Sequence, residues 1–299
     1  MKTLITGALQ LNPEQLQMLE AQGLEITLHP DERAEVPHPE VYEVVVCNGL
    51  FLYHPIERFT ALRRIQLTSA GYDRVPLDYI RAHGIELRNA AGVYSVPMAE
   101  FAIGGILQLY KQSAFFQANQ SAHRWEKHRG LLELAGKTVC IAGTGDVGRE
   151  IAKRLKAFDC EIIGVNRTVR TLPNFNRMRP LSELPAASRA CDILIVSMAL
   201  AEETRGIIDQ CIFDGLRPGA VVVNVSRGAL IDESALIAWL RSERSGGAVL
   251  DVFEQEPLPE SSPLWDMEHV ILTPHNSFVG EHNQERMGKI VARNLKGNE

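Results

Sequence analysis

The feature that most limits how this chain can fold is a series of short, almost unbroken apolar runs, each followed by a helical stretch. In the C-terminal two thirds the runs fall at 138–142, 161–165, 192–196, 220–225, 248–252 and 270–273, and include VCIA, ILIV and VVVNV. A strand with one wet face alternates polar and apolar residues. A continuous apolar run suits a strand buried on both faces, as in a parallel sheet covered by helices. Helices are expected between the runs at 149–158 and 234–241, and more weakly at 211–216. The N-terminal third repeats the pattern, with strands at 2–6, 24–28, 41–47, 65–68 and 85–89. Its helices are expected from Asn12-Pro13 to a stop at Gly23, at 56–62, and at 77–83 with Gly84 as cap.

At 95–97 the character changes. Ser95-Val96-Pro97 leads into residues 98–110, apolar nearly all round. Proline just inside the start favours helix entry, and a helix without a polar face is buried, between domains or subunits. The first domain boundary is placed just before it. A polar run with Trp125 follows, and 283–295 reads as a last helix. The 299 residues allow about two domains at roughly 100–200 residues each.

Composition removes several classes of function. The net charge of −6 gives no general attraction to nucleic acid. The five cysteines are odd in number and form no CxxC pair, which argues against a disulfide framework or a metal site and for a reducing compartment. No apolar run reaches the roughly 18 residues of a membrane helix, and the first residues lack a signal-peptide core. A cytoplasmic protein is expected.

Residues 139–148, VCIAGTGDVG, are a strand, a GxGxxG loop and a helix start. In that context Gly143 makes the tight turn, Gly145 admits a pyrophosphate, and Gly148 lets helix and strand pack closely. The helix-start amides, at Asp146 and Val147, face the anion. Roughly 20 residues on, an NAD site usually has an acidic residue for the ribose 2′-hydroxyl. Here Asn166-Arg167-Thr168-Val169-Arg170 offers no carboxylate. Asn166 and Thr168 can hydrogen-bond a 2′-phosphate, and Arg167 or Arg170 can pair with it. NADP(H) is expected over NAD(H).

Three later segments put charged or titratable residues at successive strand ends: NVSRGALIDE with Arg227, LDVFEQEP with Asp251 and Glu256, and TPHNS with His275. Ligands of open α/β sheets bind at carboxyl ends of strands. Together with the glycine loop, these motifs resemble the D-isomer-specific 2-hydroxyacid dehydrogenases over almost the whole chain. The resemblance implies an α/β fold of two lobes, a Rossmann-type dinucleotide-binding domain (97–278) inserted in a flavodoxin-like substrate domain (1–96 and 279–299). It implies catalytic roles for Arg227, Glu256 and His275, contact of Asp251 with the nicotinamide carboxamide, and capture of the substrate carboxylate by amides at Ala70 and Gly71 in the Ser69-Ala70-Gly71-Tyr72-Asp73 turn. It also implies a homodimer.

The chemistry fits these residue types. Reduction of a 2-keto acid needs a proton at the carbonyl oxygen, which a protonated His275 can give. Glu256 orients the imidazole and favours its charged form, and Arg227 grips the carboxylate. Residues 198–204, MALAEET, depart from the family's usual LPLTPET, so that loop is expected to meet the cofactor differently. For the substrate, Phe51, Leu52 and Tyr53, with Tyr72 and Tyr94, suggest an apolar wall or lobe core. A small unphosphorylated 2-keto acid is expected. Two alternatives stay open: a phosphoglycerate dehydrogenase without a regulatory domain, and a dinucleotide-sensing, corepressor-like binding protein. Turnover separates the enzyme readings from the sensor.

Overall fold

The computed structural model describes residues 1–295. It divides the chain into two compact units, Met1–Tyr94 with the segment from Gly280 onward, and Ser95–Val279.

The first unit holds β1 (Lys2–Thr6), α1 (Pro13–Glu20), β2 (Glu25–His29), β3 (Val44–Cys47), β4 (Arg64–Leu67), α2 (Leu77–Ala82) and β5 (Glu86–Arg88). The second holds α3 (Ser95–Tyr110), α4 (Ser113–Ser121), β6 (Thr138–Ala142), α5 (Asp146–Lys156), β7 (Glu161–Asn166), β8 (Arg177–Pro180), α6 (Leu184–Arg189), β9 (Ile193–Val196), α7 (Gln210–Gly215), β10 (Ala220–Asn224), α8 (Glu233–Leu240), β11 (Ser245–Leu250) and β12 (Val270–Leu272). The chain then returns to the first unit as α9 (Asn283–Leu295).

The first sheet has the order β2-β1-β3-β4-β5, all parallel. This is the flavodoxin-like order. Helix α1 begins as its sequence dictates: Asn12 caps it by accepting from the Gln15 amide at 2.8 Å, Gln15 returns the bond, and Pro13 takes the first turn. Helix α9 buries Met287, Val291 and Leu295 in a cluster with Leu19, Leu24 and Val46. Arg64 fixes the helix end, donating to the Asn294 and Leu295 carbonyls and pairing with Glu86 at 2.6 Å. A cation there also meets the negative end of the helix dipole.

The second sheet runs β12-β11-β10-β9-β6-β7-β8, again all parallel. Its order is that of the Rossmann dinucleotide fold, extended by one strand. Strands β9 and β10 are buried at every position, which is why their sequences are unbroken apolar runs. Helix α3 buries Ala102, Ile103, Ile106 and Tyr110 beside Ile151 and Leu155 of α5. Each such isoleucine is worth about 1.5–3 kcal/mol. A Cβ on Gly105 would lie 2.5 Å from the Val249 side chain, so the helix sits as close to β11 as glycine permits.

Two expectations need adjustment, and three elements were not foreseen. Residues 56–62 are not a helix: only Ile56–Arg58 form a single 3-10 turn, because Ile56, Phe59 and Leu62 are each buried within too few residues to nucleate an α-helix. The strand expected at 41–47 starts at Val44, since Pro39–Val41 is a 3-10 turn. Strand β8 and helices α4 and α6 carry no apolar run strong enough to announce them.

Candidate active site

The glycine loop turns between β6 and α5 in the second unit. Gly143 has φ 102°, and a Cβ there would lie 2.4 Å from the Met198 nitrogen, so only glycine lets this turn pass the end of β9. Ser197 Oγ closes the approach by donating to the Gly143 carbonyl at 2.7 Å. A Cβ on Gly148 would meet the same carbonyl at 2.1 Å. Gly145 differs: nothing lies within 4 Å of its missing Cβ, and as helix N-cap it provides no side chain for the first amides of α5. Open space before unsatisfied helix-start amides is what a pyrophosphate needs. A cleft of about 300 Å³ surrounds it, lined by residues that include Thr144, Asn166, Arg167, Met198 and Thr204. The residues fit a dinucleotide.

At the far end of β7, two expected phosphate contacts are engaged within the protein. Asn166 donates to Thr144 Oγ at 2.9 Å and accepts from the Arg167 amide at 2.9 Å. Arg167 pairs with Glu203 at 3.0 Å. Thr168 and Arg170 are exposed.

The other half of the sheet edge gathers the titratable groups. Arg227 follows β10, in a loop shaped by the buried Asn224, which accepts from the Ser226 amide and donates to the Arg227 carbonyl. Arg227 itself donates to the Ser226 carbonyl at 2.8 Å. A Cβ on Gly228 would fall 1.8 Å from the Phe253 carbonyl carbon, so glycine allows the Arg227 loop to lie against the loop carrying Glu256. Glu256 accepts from the Phe253 amide with one oxygen and from His275 Nδ1 with the other, at 2.8 Å. Both side chains remain about a third exposed. With Nδ1 occupied by the carboxylate, Nε2 is the nitrogen left for proton transfer.

His275 lies in the left-handed region, φ 51°, uncommon for a residue with a Cβ. Asp251 holds it there. The His275 amide donates to the Asp251 carbonyl at 2.8 Å. The Asp251 carboxylate accepts from Thr273 Oγ at 2.7 Å, the Asn276 amide at 2.7 Å and the Ser277 amide at 2.9 Å. Asp251 is buried, at 0% exposure. Its place in this structure is beneath the histidine loop, whose residues 276 and 277 it anchors. The motif named the residue; its burial and its three donors were not readable from spacing. Asn224, Thr144, Gly228 and Glu203 were likewise missed, although a polar Asn closing the run VVVN was a visible signal.

In the first unit, the Ser69–Gly71 turn follows β4. Its carbonyls are tied back: Ala90 N donates to Ser69, Asn89 to Ala70 at 2.7 Å, and Ser69 Oγ to Gly71 at 3.0 Å. Among the described residues, the Ala70 and Gly71 amides find no acceptor. Leu52, Tyr53 and Tyr72 are exposed, whereas Phe51 packs on Phe59. Among the described residues no cluster of His, Cys, Asp and Glu could hold a metal ion, and no helix is long and apolar enough to cross a membrane.

A Rossmann-ordered sheet with an open glycine turn, and a histidine–carboxylate pair along the same edge, define a dinucleotide-dependent oxidoreductase. Comparison with known proteins narrows the class. Residues 103–277 match the model of the D-isomer specific 2-hydroxyacid dehydrogenase, NAD binding domain. A glyoxylate/hydroxypyruvate reductase A of Arabidopsis thaliana is 35% identical over 231 residues, 76% of this chain and 72% of the relative. Two solved structures are similar throughout. A glyoxylate reductase from Paecilomyes thermophila has TM-score 0.85 and 25% identity, over 99% of this chain and 94% of that one. An NADPH-dependent glyoxylate/hydroxypyruvate reductase from Sinorhizobium meliloti, in complex with NADP and malonate, has TM-score 0.80 and 28% identity, over 99% and 92%. The chain belongs to the D-isomer-specific 2-hydroxyacid dehydrogenase family and is an NAD(P)-dependent enzyme of that family.

Proposed function

We propose that the protein reduces a small unphosphorylated 2-keto acid to the D-2-hydroxy acid, or runs the reverse, with NADP(H) preferred over NAD(H). The observation that carries this reading is the His275–Glu256 pair on the sheet edge that also bears the open glycine turn. Nicotinamide, when bound, supplies the hydride. His275 Nε2 gives the proton to the carbonyl oxygen, and Glu256 keeps the ring oriented. Arg227 grips the carboxylate with a planar fork that lysine lacks. Asp251 meets the nicotinamide carboxamide and also holds residues 275–277 in place.

Residues 97–278 are assigned as the dinucleotide domain, and 1–96 with 279–299 as the substrate domain. In the latter, the unpartnered Ala70 and Gly71 amides are suited to a carboxylate. The NADP(H) preference is supported by Asn166 standing where a carboxylate would repel the 2′-phosphate, and by the exposed Arg167 and Arg170. A homodimer is supported by Trp125, which is 97% exposed, with Leu131, Leu132 and Phe116 also uncovered. A cytoplasmic setting is supported by the five free cysteines.

The test follows NADPH and NADH oxidation with glyoxylate, hydroxypyruvate, pyruvate, phenylpyruvate and 3-phosphohydroxypyruvate. Turnover is expected with NADPH on an unphosphorylated acid. His275→Ala should lower kcat on the order of 10²–10⁴-fold, with cofactor titration unchanged. Equal efficiency with both cofactors, a preference for the phosphorylated acid, or near-normal activity of the variant would overturn the corresponding part.

A further inference from the structure

The loop after β9 ends in a 3-10 turn, Glu202–Thr204, at the rim of the nucleotide cleft. Its position is fixed from below. Thr204 is 2% exposed; its hydroxyl accepts from the Ala201 amide at 2.8 Å and lies 3.0 Å from the Ala199 carbonyl. Arg167, across the cleft, is fixed in the same manner: its amide donates to Asn166, which donates to Thr144, and Thr144 is 1% exposed. Two pinned backbones thus present Arg167 and Glu203 to each other at 3.0 Å, while the side chains stay 60% and 53% exposed. An ion pair so wetted is weak and can exchange partners.

We infer that Glu203 competes with the cofactor's 2′-phosphate for Arg167, and so sets how strongly this site favours a 2′-phosphorylated dinucleotide. The inference rests on the NADP(H) reading above. A phosphate monoester brings about −1.5 to −2 charge at neutral pH. Arg167 can turn its planar fork to that group or to the Glu203 carboxylate. Binding the phosphate costs the existing pair and brings two anions to one side of the cleft. A dinucleotide with a free 2′-hydroxyl meets neither cost. The site thus contains its own brake on selectivity, at the rim of the nucleotide cleft.

The experiment measures binding of adenosine 2′,5′-bisphosphate and of 5′-AMP by titration calorimetry, with no turnover involved. Glu203→Gln should tighten the bisphosphate about three- to fivefold and leave 5′-AMP within twofold. In an Arg167→Gln background the same change should lose most of that gain. No gain in Glu203→Gln, an equal gain for both ligands, or a full gain without Arg167 overturns the inference. Glu203→Ala repeats the measurement with a different side chain. The NADP(H) reading is scored separately: wild-type protein that binds both ligands equally counts against that preference, and a selective gain in Glu203→Gln on that same protein still upholds the competition.

Discussion

The two units solve one topological problem in opposite ways. Each has a parallel sheet whose strand order reverses beside its first strand, which opens a crevice at the strand ends suited to an anion. In the second unit the crevice lies between β6 and β9, and Gly145 leaves it open. In the first it lies between β1 and β3, and the chain fills it with its own carboxylate. Glu32 accepts from Thr6 Oγ and the Asn48 amide with one oxygen, and from the Gly49 amide with the other, each at 2.7 Å. A fold of this kind offers an anion seat; whether it becomes a ligand site depends on whether a side chain already occupies it.

The sharpest way to break this comparison is to fill the open crevice. Gly145→Val places its side chain in empty space, so the fold should lose less than about 1 kcal/mol, mainly from the poorer helix cap. Dinucleotide binding should fall by more than about 100-fold, as read by NADPH titration alongside thermal melting. Gly143→Ala is the control with the opposite signature. Its Cβ meets backbone at 2.4 Å in a left-handed conformation, so the second unit itself should destabilise by about 2–4 kcal/mol. Equal melting temperatures for the two variants would show that the crevice is not built as described.

Emptying the closed crevice is the next largest effect. Glu32→Ala strips three donors of their acceptor and should cost about 1–3 kcal/mol, visible as a lower urea midpoint for the first unit. An unchanged midpoint would mean that water replaces the carboxylate at no cost.

The smallest effect is a pH signature of the first unit. Partial burial raises the Glu86 carboxyl, but hydrogen bonds and charge from Arg88 and Arg64 outweigh it and hold the group below the usual carboxylate range. A lowered folded-state pKa adds stability above the unfolded-state value, near 4.3, and that stability is lost as pH falls through the folded-state value. After solvent screening the amount is under about 1 kcal/mol. Wild type and Glu86→Gln should therefore differ in stability near pH 6 and converge toward pH 3. A gap that widens on acidification would reverse the sign of this linkage.

What the sequence disclosed follows from where the information is local. Runs such as ILIV and VVVNV gave strands buried on both faces, GTGDVG with its flanks gave the nucleotide turn, and Asn12-Pro13 gave a capped helix. All three are written in consecutive residues. Arg227, Glu256 and His275 were recognisable as types at strand ends, but their pairing geometry was not. The partners that fix the site are distant in sequence: Asp251 beneath Asn276, Glu203 against Arg167, Glu32 on Gly49. Strand β8, Arg-Met-Arg-Pro, was hidden because an edge strand ending in proline has no unbroken apolar run to betray it.

The return of α9 to the first unit has a consequence for how the protein is made. The residues that complete that unit's core leave the ribosome only after the whole of the second unit has been synthesised. At about 5–20 residues per second, the nascent first unit waits roughly 10–40 s with the apolar surface around Leu19, Leu24 and Val46 uncovered. The inserted unit can fold in that interval, whereas the first unit closes last, although its sequence begins the chain.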